Sequence, residues 1–321
     1  MRLPCWDIRF ATGEKPKPDL PDPLAALPNC PPGMLQNEEG LPLKPEDQRS
    51  QMADGEWDYP IEIPWDGILV DDLGHALDIE ARVRRTLDII SPGRAEEIER
   101  EACAIFEVNS LRDYFRKTTG FFADHLKRYS KSRRKAPIYW SLSTASGSYT
   151  IWLYYHRLTD QTPYTIVNKY LEPKIEDVQR AAARIEDELA EASGTIAATA
   201  RDALNDLRAF AQELAEMKQE LLRVAALPYR PDLNDGVIIN AAPLYKLFRH
   251  RGWASECEEV WKKLENEQYE WSHMAGNIWP RRVRDKCKTD RSLAIAHGLE
   301  DICEVPPPGA KKRNARRGGA S

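Results

Sequence analysis

Basic side chains are concentrated in one short run of the chain, and their chemistry is that of phosphate binding. Lysine and arginine neutralise phosphates and release the counterions around a nucleic acid, which gives affinity without sequence information. The run therefore predicts contact with a polyanion, and the alternative is a solvated basic turn before a buried hairpin. Six of the nine residues from 127 to 135 are basic, namely Lys127, Arg128, Lys131, Arg133, Arg134 and Lys135.

Hydroxyl side chains follow this run directly, in a segment with the pattern of a β-hairpin. Residues 137–156 place aromatic and β-branched residues on both sides of an Ala-Ser-Gly-Ser break. Small hydroxyl residues at a hairpin tip can contact phosphates or base edges. Because one face of each strand is normally buried, core packing explains many of the aromatic residues equally well. The candidate DNA contacts in this segment are Tyr139, Ser143, Thr144, Ser146 and Ser148.

A second group of cations lies near the end of the chain. Residues 277–291 carry six basic and two acidic side chains, and the candidate DNA contacts among them are Arg281, Arg282 and Arg284. A helix surface paired with acidic neighbours explains the same pattern. The chain nevertheless has a net charge of −5, so the remaining residues are strongly acidic. Segregated positive charge on an acidic protein favours a polyanionic partner, with nucleic acid first.

The motifs of several common reactions are absent. The sequence has no P-loop, no Gly-rich cofactor loop after a strand, and no Asn/Asp-Pro-Pro-aromatic motif for a flipped adenine. The stretch 232–236 has no glutamate where a calcium loop needs its bidentate ligand, so a tight turn is favoured. The six histidines and six cysteines lack metal-ligand spacing. We therefore predict no catalytic residue and no metal site in this chain.

Helices dominate the predicted elements that position these residues. Apolar residues recur with helical spacing from Ile79 to Ile90, and two further helices follow before residue 116. Residues 174–226 carry two heptad seams with a Ser-Gly break between them, which predicts a long antiparallel, coiled-coil-like helical hairpin. Two independent helices are the alternative. The β-branched run 237–239 is strand-like and follows a turn at 234–236.

The fold class is therefore α+β, dominated by helices, with five segments. Residues 1–65 hold 12 of the 23 prolines, which predicts an extended strap, because proline removes a hydrogen-bond donor. No apolar stretch reaches about 18 residues, so we expect no membrane span. Scattered cysteines fit a cytoplasmic protein. The segments are a Pro-rich docking strap, 1–65; a helical and β-hairpin recognition region, 66–171; a helical-hairpin spacer, 172–227; a C-terminal helical lobe, 228–303; and a disordered basic tail, 304–321.

Five separated strings of the sequence are similar to one enzyme family. This family comprises the large adenine-specific DNA methyltransferases of bacteriophage-exclusion (BREX, PglX-like) and type IIG restriction-modification systems. The likeness runs from about Trp6 to Ile302. The strings are Trp6-Asp7-Ile8-Arg9-Phe10-Ala11-Thr12-Gly13-Glu14, Ser110-Leu111-Arg112-Asp113-Tyr114-Phe115-Arg116-Lys117, Arg134-Lys135-Ala136-Pro137-Ile138-Tyr139-Trp140, Asn234-Asp235-Gly236-Val237-Ile238-Ile239-Asn240-Ala241-Ala242-Pro243-Leu244 and Asp290-Arg291-Ser292-Leu293-Ala294-Ile295-Ala296-His297-Gly298-Leu299-Glu300.

The resemblance implies a target-recognition and helical-spacer portion without the catalytic domain. The family's cofactor loop and its Asn-Pro-Pro-aromatic motif lie in an N-terminal domain, and this chain begins about where that domain would end. S-adenosylmethionine is therefore expected on a partner catalytic half, with no cofactor in this chain. The leading hypothesis is a DNA-binding specificity module that acts on double-stranded DNA. Its rivals are a protein-interaction or structural subunit without DNA contact, and an autonomous enzyme such as a nuclease.

Overall fold

The computed structural model describes residues 66–131, 134–191 and 194–305. The predicted strap at 1–65, the candidate Arg133 and the tail from 306 onward lie outside the described residues. The described residues divide into two compact units. The first comprises residues 71–115, and the second comprises residues 66–70 together with 116–305.

Short helices and a buried ionic cluster form the first unit. Its helices are α1 (Ile79–Ile90), α2 (Ala95–Phe106) and the start of α3 (Leu111–Arg116). The helices predicted before residue 116 are thus confirmed. The Asp78 carboxylate caps α1 by accepting a hydrogen bond from the Ala81 N–H at 3.1 Å. The Arg112 guanidinium donates to Asp78 at 2.8 Å, to Glu80 at 2.9 Å and to Asp71, and all three carboxylates are buried.

The strands of the second unit are β1 (Ile68–Val70), β2 (Ser130–Lys131), β3 (Arg134–Lys135), β4 (Tyr139–Ser143) and β5 (Thr150–Tyr154). A three-stranded antiparallel sheet forms part of the core of this unit. Its strand order is β1-β5-β4, and the hairpin register pairs Tyr139 with Tyr154 and Ser143 with Thr150. The hairpin predicted within 137–156 is therefore confirmed. Helix α4 (Phe121–Arg128) precedes a separate ribbon made of β2 and β3.

The predicted long helical hairpin is confirmed, and its two arms are antiparallel. Glu172 pairs with Lys218 at 2.9 Å and Glu186 with Arg208 at 2.7 Å, so the arms run in opposite directions. A π-helical turn precedes Pro173, whose ring cannot continue a regular α-helical ladder. The elements are α5 (Thr162–Ile166), the π turn (Val167–Leu171), α6 (Glu172–Glu191) and α7 (Gly194–Ala226).

The rest of the second unit is helical. The strand expected at 237–239 is wrong, because this segment begins a helix. The Asn240 side chain donates to the carbonyl oxygens of Gly236 at 3.0 Å and Asp232 at 2.6 Å, which ties the preceding turn to that helix. No helix in the described part of the chain is long and apolar enough to cross a membrane. The helices are α8 (Val237–Ala241), α9 (Arg251–Glu265), α10 (His273–Ile278), α11 (Pro280–Cys287) and α12 (Arg291–Ala296).

Candidate nucleic-acid interface

The predicted basic run forms a two-stranded ribbon with cations facing each other. Lys131 on β2 is the direct cross-strand partner of Arg134 on β3, and both side chains are exposed. Neither makes an ion pair with a carboxylate of the described residues. Lys127 and Arg128 are exposed in the last turn of α4, just before the ribbon. Like charges directly opposite each other destabilise a strand pair, and a bound polyanion would remove this repulsion.

Two contacts hold the ribbon and the following strand in place. The Lys135 ammonium pairs with the Glu256 carboxylate on α9, which fixes the second ribbon strand to that helix. The Nε2 atom of His125 accepts hydrogen bonds from the N–H groups of Ile138 at 3.1 Å and Tyr139 at 3.0 Å. Burial, with a smaller contribution from the Arg128 charge, lowers the pKa of His125 to about 4. A neutral His125 therefore holds the beginning of β4 at physiological pH.

The hydroxyl groups at the hairpin tip that we predicted to contact DNA make hydrogen bonds within the protein. Ser143 and Thr144 are buried, and the Ser143 hydroxyl lies 2.7 Å from that of Thr150. The Ser146 hydroxyl donates to the Glu213 carboxylate on α7 at 2.6 Å, and Ser148 lies within 3.4 Å of the same oxygen. Tyr139 is partly exposed. The tip is thus fixed to the helical hairpin, and a DNA-contacting role for these hydroxyls stays a prediction.

The structure also contains a basic cleft beside the hairpin tip, which the sequence analysis did not predict. The cleft has a volume of 650 Å³ and is lined by Thr118 and Thr119, by the tip residues and by residues 246 and 248–252. Three of these, Lys246, Arg249 and Arg251, are cationic. The only sequence signal for this cleft was the presence of three basic residues within residues 246–251, a shorter basic run than the one at 127–135.

Neighbouring contacts hold two of the cleft cations in place. The Arg249 guanidinium donates to the Arg116 carbonyl at 3.0 Å. A Cβ atom at Gly147 would lie 1.8 Å from Arg249 Nη1, so only glycine leaves room for this side chain. The Lys246 ammonium lies 3.3 Å from Glu220. Arg251 is exposed at the first position of α9.

Helix α9 places the ribbon and the cleft side by side. Glu256, which holds Lys135, is five residues after Arg251, so the two positions are about 7.5 Å apart along the helix. Phe122 of α4 packs edge-on against His250, which caps the beginning of α9. Burial, together with the nearby Lys135 charge, lowers the pKa of His250. We use the term basic surface for the exposed or partly exposed cations at the end of α4, on the ribbon and in the cleft, namely Lys127, Lys131, Arg134, Lys246, Arg249 and Arg251.

The second predicted cation group lies at the opposite end of α9 and contains one structural arginine. The Arg282 guanidinium donates to the carbonyl oxygens of Leu264 at 2.7 Å and Glu265 at 3.0 Å, at the negative end of the α9 dipole. It also lies 4.0 Å from the centre of the Trp279 ring. Arg281 and Arg284 are exposed on α11. The structure thus does not bring this group together with the ribbon, because about 13 Å of helix separates Glu256, which holds the ribbon, from the carbonyl groups that Arg282 binds.

Comparison with known proteins relates part of the chain to a methyltransferase. No protein-family model matches the chain. Over 134 residues the chain is 31% identical to the adenine-specific methyltransferase BrxX of Escherichia coli O9:H4 (strain HS). The match covers 41% of this chain and 11% of that protein, so the chain spans a small part of its relative's length. The similarity supports a relationship with BREX-type methyltransferases, in agreement with the motif resemblance above.

Proposed function

We propose that the chain is the DNA-binding specificity part of an adenine-specific methyltransferase of a phage-defence or restriction-modification system. It would act in the cytoplasm on double-stranded DNA and direct methylation of the adenine N6 amine. The observation that carries the proposal is the exposed pair Lys131 and Arg134, held face to face beside a cleft with three further cations. The similarity to a protein named as an adenine-specific methyltransferase supports the choice of reaction.

The basic surface would bind the phosphate backbone, and its neighbours would hold it in register. The ribbon projects two cations that are not tied to carboxylates of the described residues, whereas the cleft adds Lys246, Arg249 and the exposed Arg251. Phosphate contacts of this kind position a protein on DNA, and sequence is read by other groups in the grooves. We assign the long helical hairpin the role of a spacer, because Glu213 on its second arm anchors the hairpin tip that lines the cleft.

The methyl-transfer chemistry would come from a separate catalytic half. That half would bind S-adenosylmethionine and hold the flipped adenine, and this chain would supply the DNA-binding surface. The strap 1–65 is the segment that we propose to dock on it, because apolar residues recur among its prolines. No catalytic residue of this chain is part of the proposal.

A salt titration of DNA binding tests the proposal directly. Fluorescence anisotropy with a random duplex of about 30 base pairs should give affinity that falls steeply with salt, because phosphate contacts release counterions. For Z contacts, the slope of log K against log salt is about −0.9Z. An absence of binding even at low salt would overturn the proposal and favour the alternative, a protein-interaction subunit without DNA contact. Once DNA binding is established, methylation assays with a candidate catalytic partner test the second part of the proposal.

A further inference from the structure

A cavity in the C-terminal helices brings together two histidines and an arginine. Its volume is 290 Å³, and its walls include His273 and Gly276 of α10, Arg284 of α11, and His297 just after α12. Arg284 is exposed and makes no ion pair with a carboxylate of the described residues. The cavity lies beyond the C-terminal end of α9, since Arg282 of α11 binds the last carbonyl groups of that helix. It is therefore separate from the basic surface at the other end.

A buried carboxylate fixes the orientation of the first histidine. The Asp235 side chain is fully buried, and its Oδ1 atom lies 2.9 Å from His273 Nδ1. The same carboxylate accepts the backbone N–H groups of His273 at 2.8 Å and Met274 at 2.7 Å. Because a carboxylate only accepts hydrogen bonds, Nδ1 is the protonated nitrogen, and Nε2 is left for a ligand in the cavity. The hydrogen bond to Asp235 raises the pKa of His273, against a smaller opposing effect of burial.

The second histidine, His297, is held with its proton on the other ring nitrogen. His297 Nε2 lies 2.5 Å from the Glu270 carbonyl oxygen, so Nε2 carries the proton and Nδ1 is the acceptor. Gly276 lets the ring approach α10, because a Cβ atom there would lie 3.0 Å from His297 Cε1. The ring centres of His273 and His297 are 6.4 Å apart. Besides these groups, the Asp232 carboxylate lies 3.9 Å from His273 Nδ1.

We propose that this cavity binds a phosphate group, either of a terminal monoester or of free inorganic phosphate, through the imidazole of His273 and the guanidinium of Arg284. Arginine presents a planar set of N–H donors that matches a phosphate, and an imidazolium supplies a second charge-assisted hydrogen bond. A concave site of this kind admits a terminal phosphate group better than the internal phosphodiester of a duplex. The source is either the 5′ end of a nucleic acid or free phosphate. The proposal goes beyond the proposed function and does not depend on it, since neither residue belongs to the basic surface.

A titration of the folded chain with inorganic phosphate tests the site. Nuclear magnetic resonance of the histidine Cε1–H groups should show a saturable shift of the His273 signal. The Arg284→Ala variant should bind phosphate about tenfold more weakly, as expected for loss of one charge-assisted hydrogen bond. The matched control is Arg281→Ala, an exposed arginine three residues earlier on the same helix that does not line the cavity. Equal affinities of the two variants, or an unshifted His273 signal, would overturn the proposal.

The pH dependence and the choice of ligand complete the test. Affinity should fall several-fold as the pH rises through the raised pKa of His273 and the imidazole loses its proton. The His273→Gln variant cannot gain that proton, so its pH dependence comes only from phosphate and the other cavity groups, including His297. An equal dependence in the unaltered protein would contradict the role of His273. Tighter binding of a 5′-phosphorylated dinucleotide than of inorganic phosphate would identify a nucleic-acid end as the ligand. Equal binding of the two would identify the free ion, and either result supports a phosphate site at His273 and Arg284.

Discussion

Lys131 and Arg134 are direct partners across the β2–β3 ribbon, with both side chains exposed. In an antiparallel pair, the Cβ atoms of such partners are about 5 Å apart, and like charges there cost stability. The ribbon is only two residues long on each side, so its hydrogen bonds contribute little to offset this repulsion. Its position depends on the Lys135–Glu256 pair and on the neighbouring helices. A surface that keeps two cations in this arrangement fits a polyanionic ligand.

Replacing both ribbon cations should weaken DNA binding and change its salt dependence. The Lys131→Gln/Arg134→Gln variant removes two phosphate contacts, so the slope of log K against log salt should become shallower by about 1.8. The control is Arg180→Gln/Arg208→Gln, which removes the same charge from exposed positions on the helical hairpin. Anisotropy titrations across the salt series would measure both slopes. An equal change in the two variants would point to net charge alone and reject the ribbon as the contact.

Removing the carboxylate that restrains Lys135 should tighten DNA binding. In Glu256→Gln the ammonium of Lys135 is released, and one negative charge beside the basic surface is lost. We expect duplex affinity at low salt to rise about two- to fivefold, because a nearby carboxylate repels phosphate. Folding stability should change by less than about 1 kcal/mol, since the pair is partly exposed. Glu258→Gln is the control, because that carboxylate pairs with Lys262 on the same helix. An identical gain in both variants would count against a specific role for Glu256.

The sequence predicted the helical elements well, because their signals are local. The apolar spacing from Ile79 to Ile90 and the heptads of 174–226 each belong to one continuous segment, and both are helical in the structure. The strand expected at 237–239 was wrong, because the side chain of Asn240 stabilises a helical start that β-branched propensity does not reveal. Strand β1 was missed, since three residues are too few to show alternation.

The candidate site was predicted only in part, because it is built from distant segments. The basic run 127–135 was visible as a cluster, but its cross-strand pairing was not. The cleft joins Thr118, the hairpin tip and Arg251, which are far apart in the sequence. The bonds of Ser146 to Glu213, 67 residues later, could not be read from the tip itself. The residue types thus showed where positive charge lies along the chain. The hydrogen-bond and ion-pair partners of these residues depend on tertiary contacts, which the sequence does not show.

The ionic cluster of the first unit should be essential for its stability. Arg112 is the shared partner of Asp71, Asp78 and Glu80, and all four side chains are largely buried. Arg112→Met leaves three buried carboxylates without that partner, which should destabilise the unit by about 3–5 kcal/mol. The control Arg94→Ala removes an exposed pair with Glu97 and should leave the stability of the unit almost unchanged.

Amide hydrogen exchange in α1 would report this loss locally, because α1 carries Glu80 and is capped by Asp78. Arg112→Lys should be intermediate, since one ammonium keeps the charge but cannot reach all three carboxylates with the same geometry. Unchanged protection of α1 in Arg112→Met would show that the cluster does not contribute to stability.

The buried side chain of His125, which accepts hydrogen bonds from the beginning of β4, should make the second unit sensitive to acid. The pKa of folded His125 is about 4, below the ordinary value of 6.5, so the unfolded chain takes up this proton first as the pH falls. The contribution of neutral His125 to the free energy of unfolding is therefore complete above about pH 6.5 and is lost progressively down to about pH 4. At pH 5 the loss should be about 2 kcal/mol. Protonation would also remove the acceptor for the N–H groups of Ile138 and Tyr139, at the beginning of β4.

Urea unfolding at pH 7 and pH 5 would measure this effect in matched variants. In His125→Gln the amide oxygen can still accept a backbone hydrogen bond but cannot be protonated in this range, so the acid-induced loss should shrink by about 2 kcal/mol. His156→Gln is the control, because that exposed side chain lies just after β5 and its replacement should leave the loss unchanged. The same pH dependence in His125→Gln and the unaltered protein would show that other groups cause the acid sensitivity. A reduced loss in His125→Gln alone would instead assign it to the side chain that joins α4 to the beginning of β4.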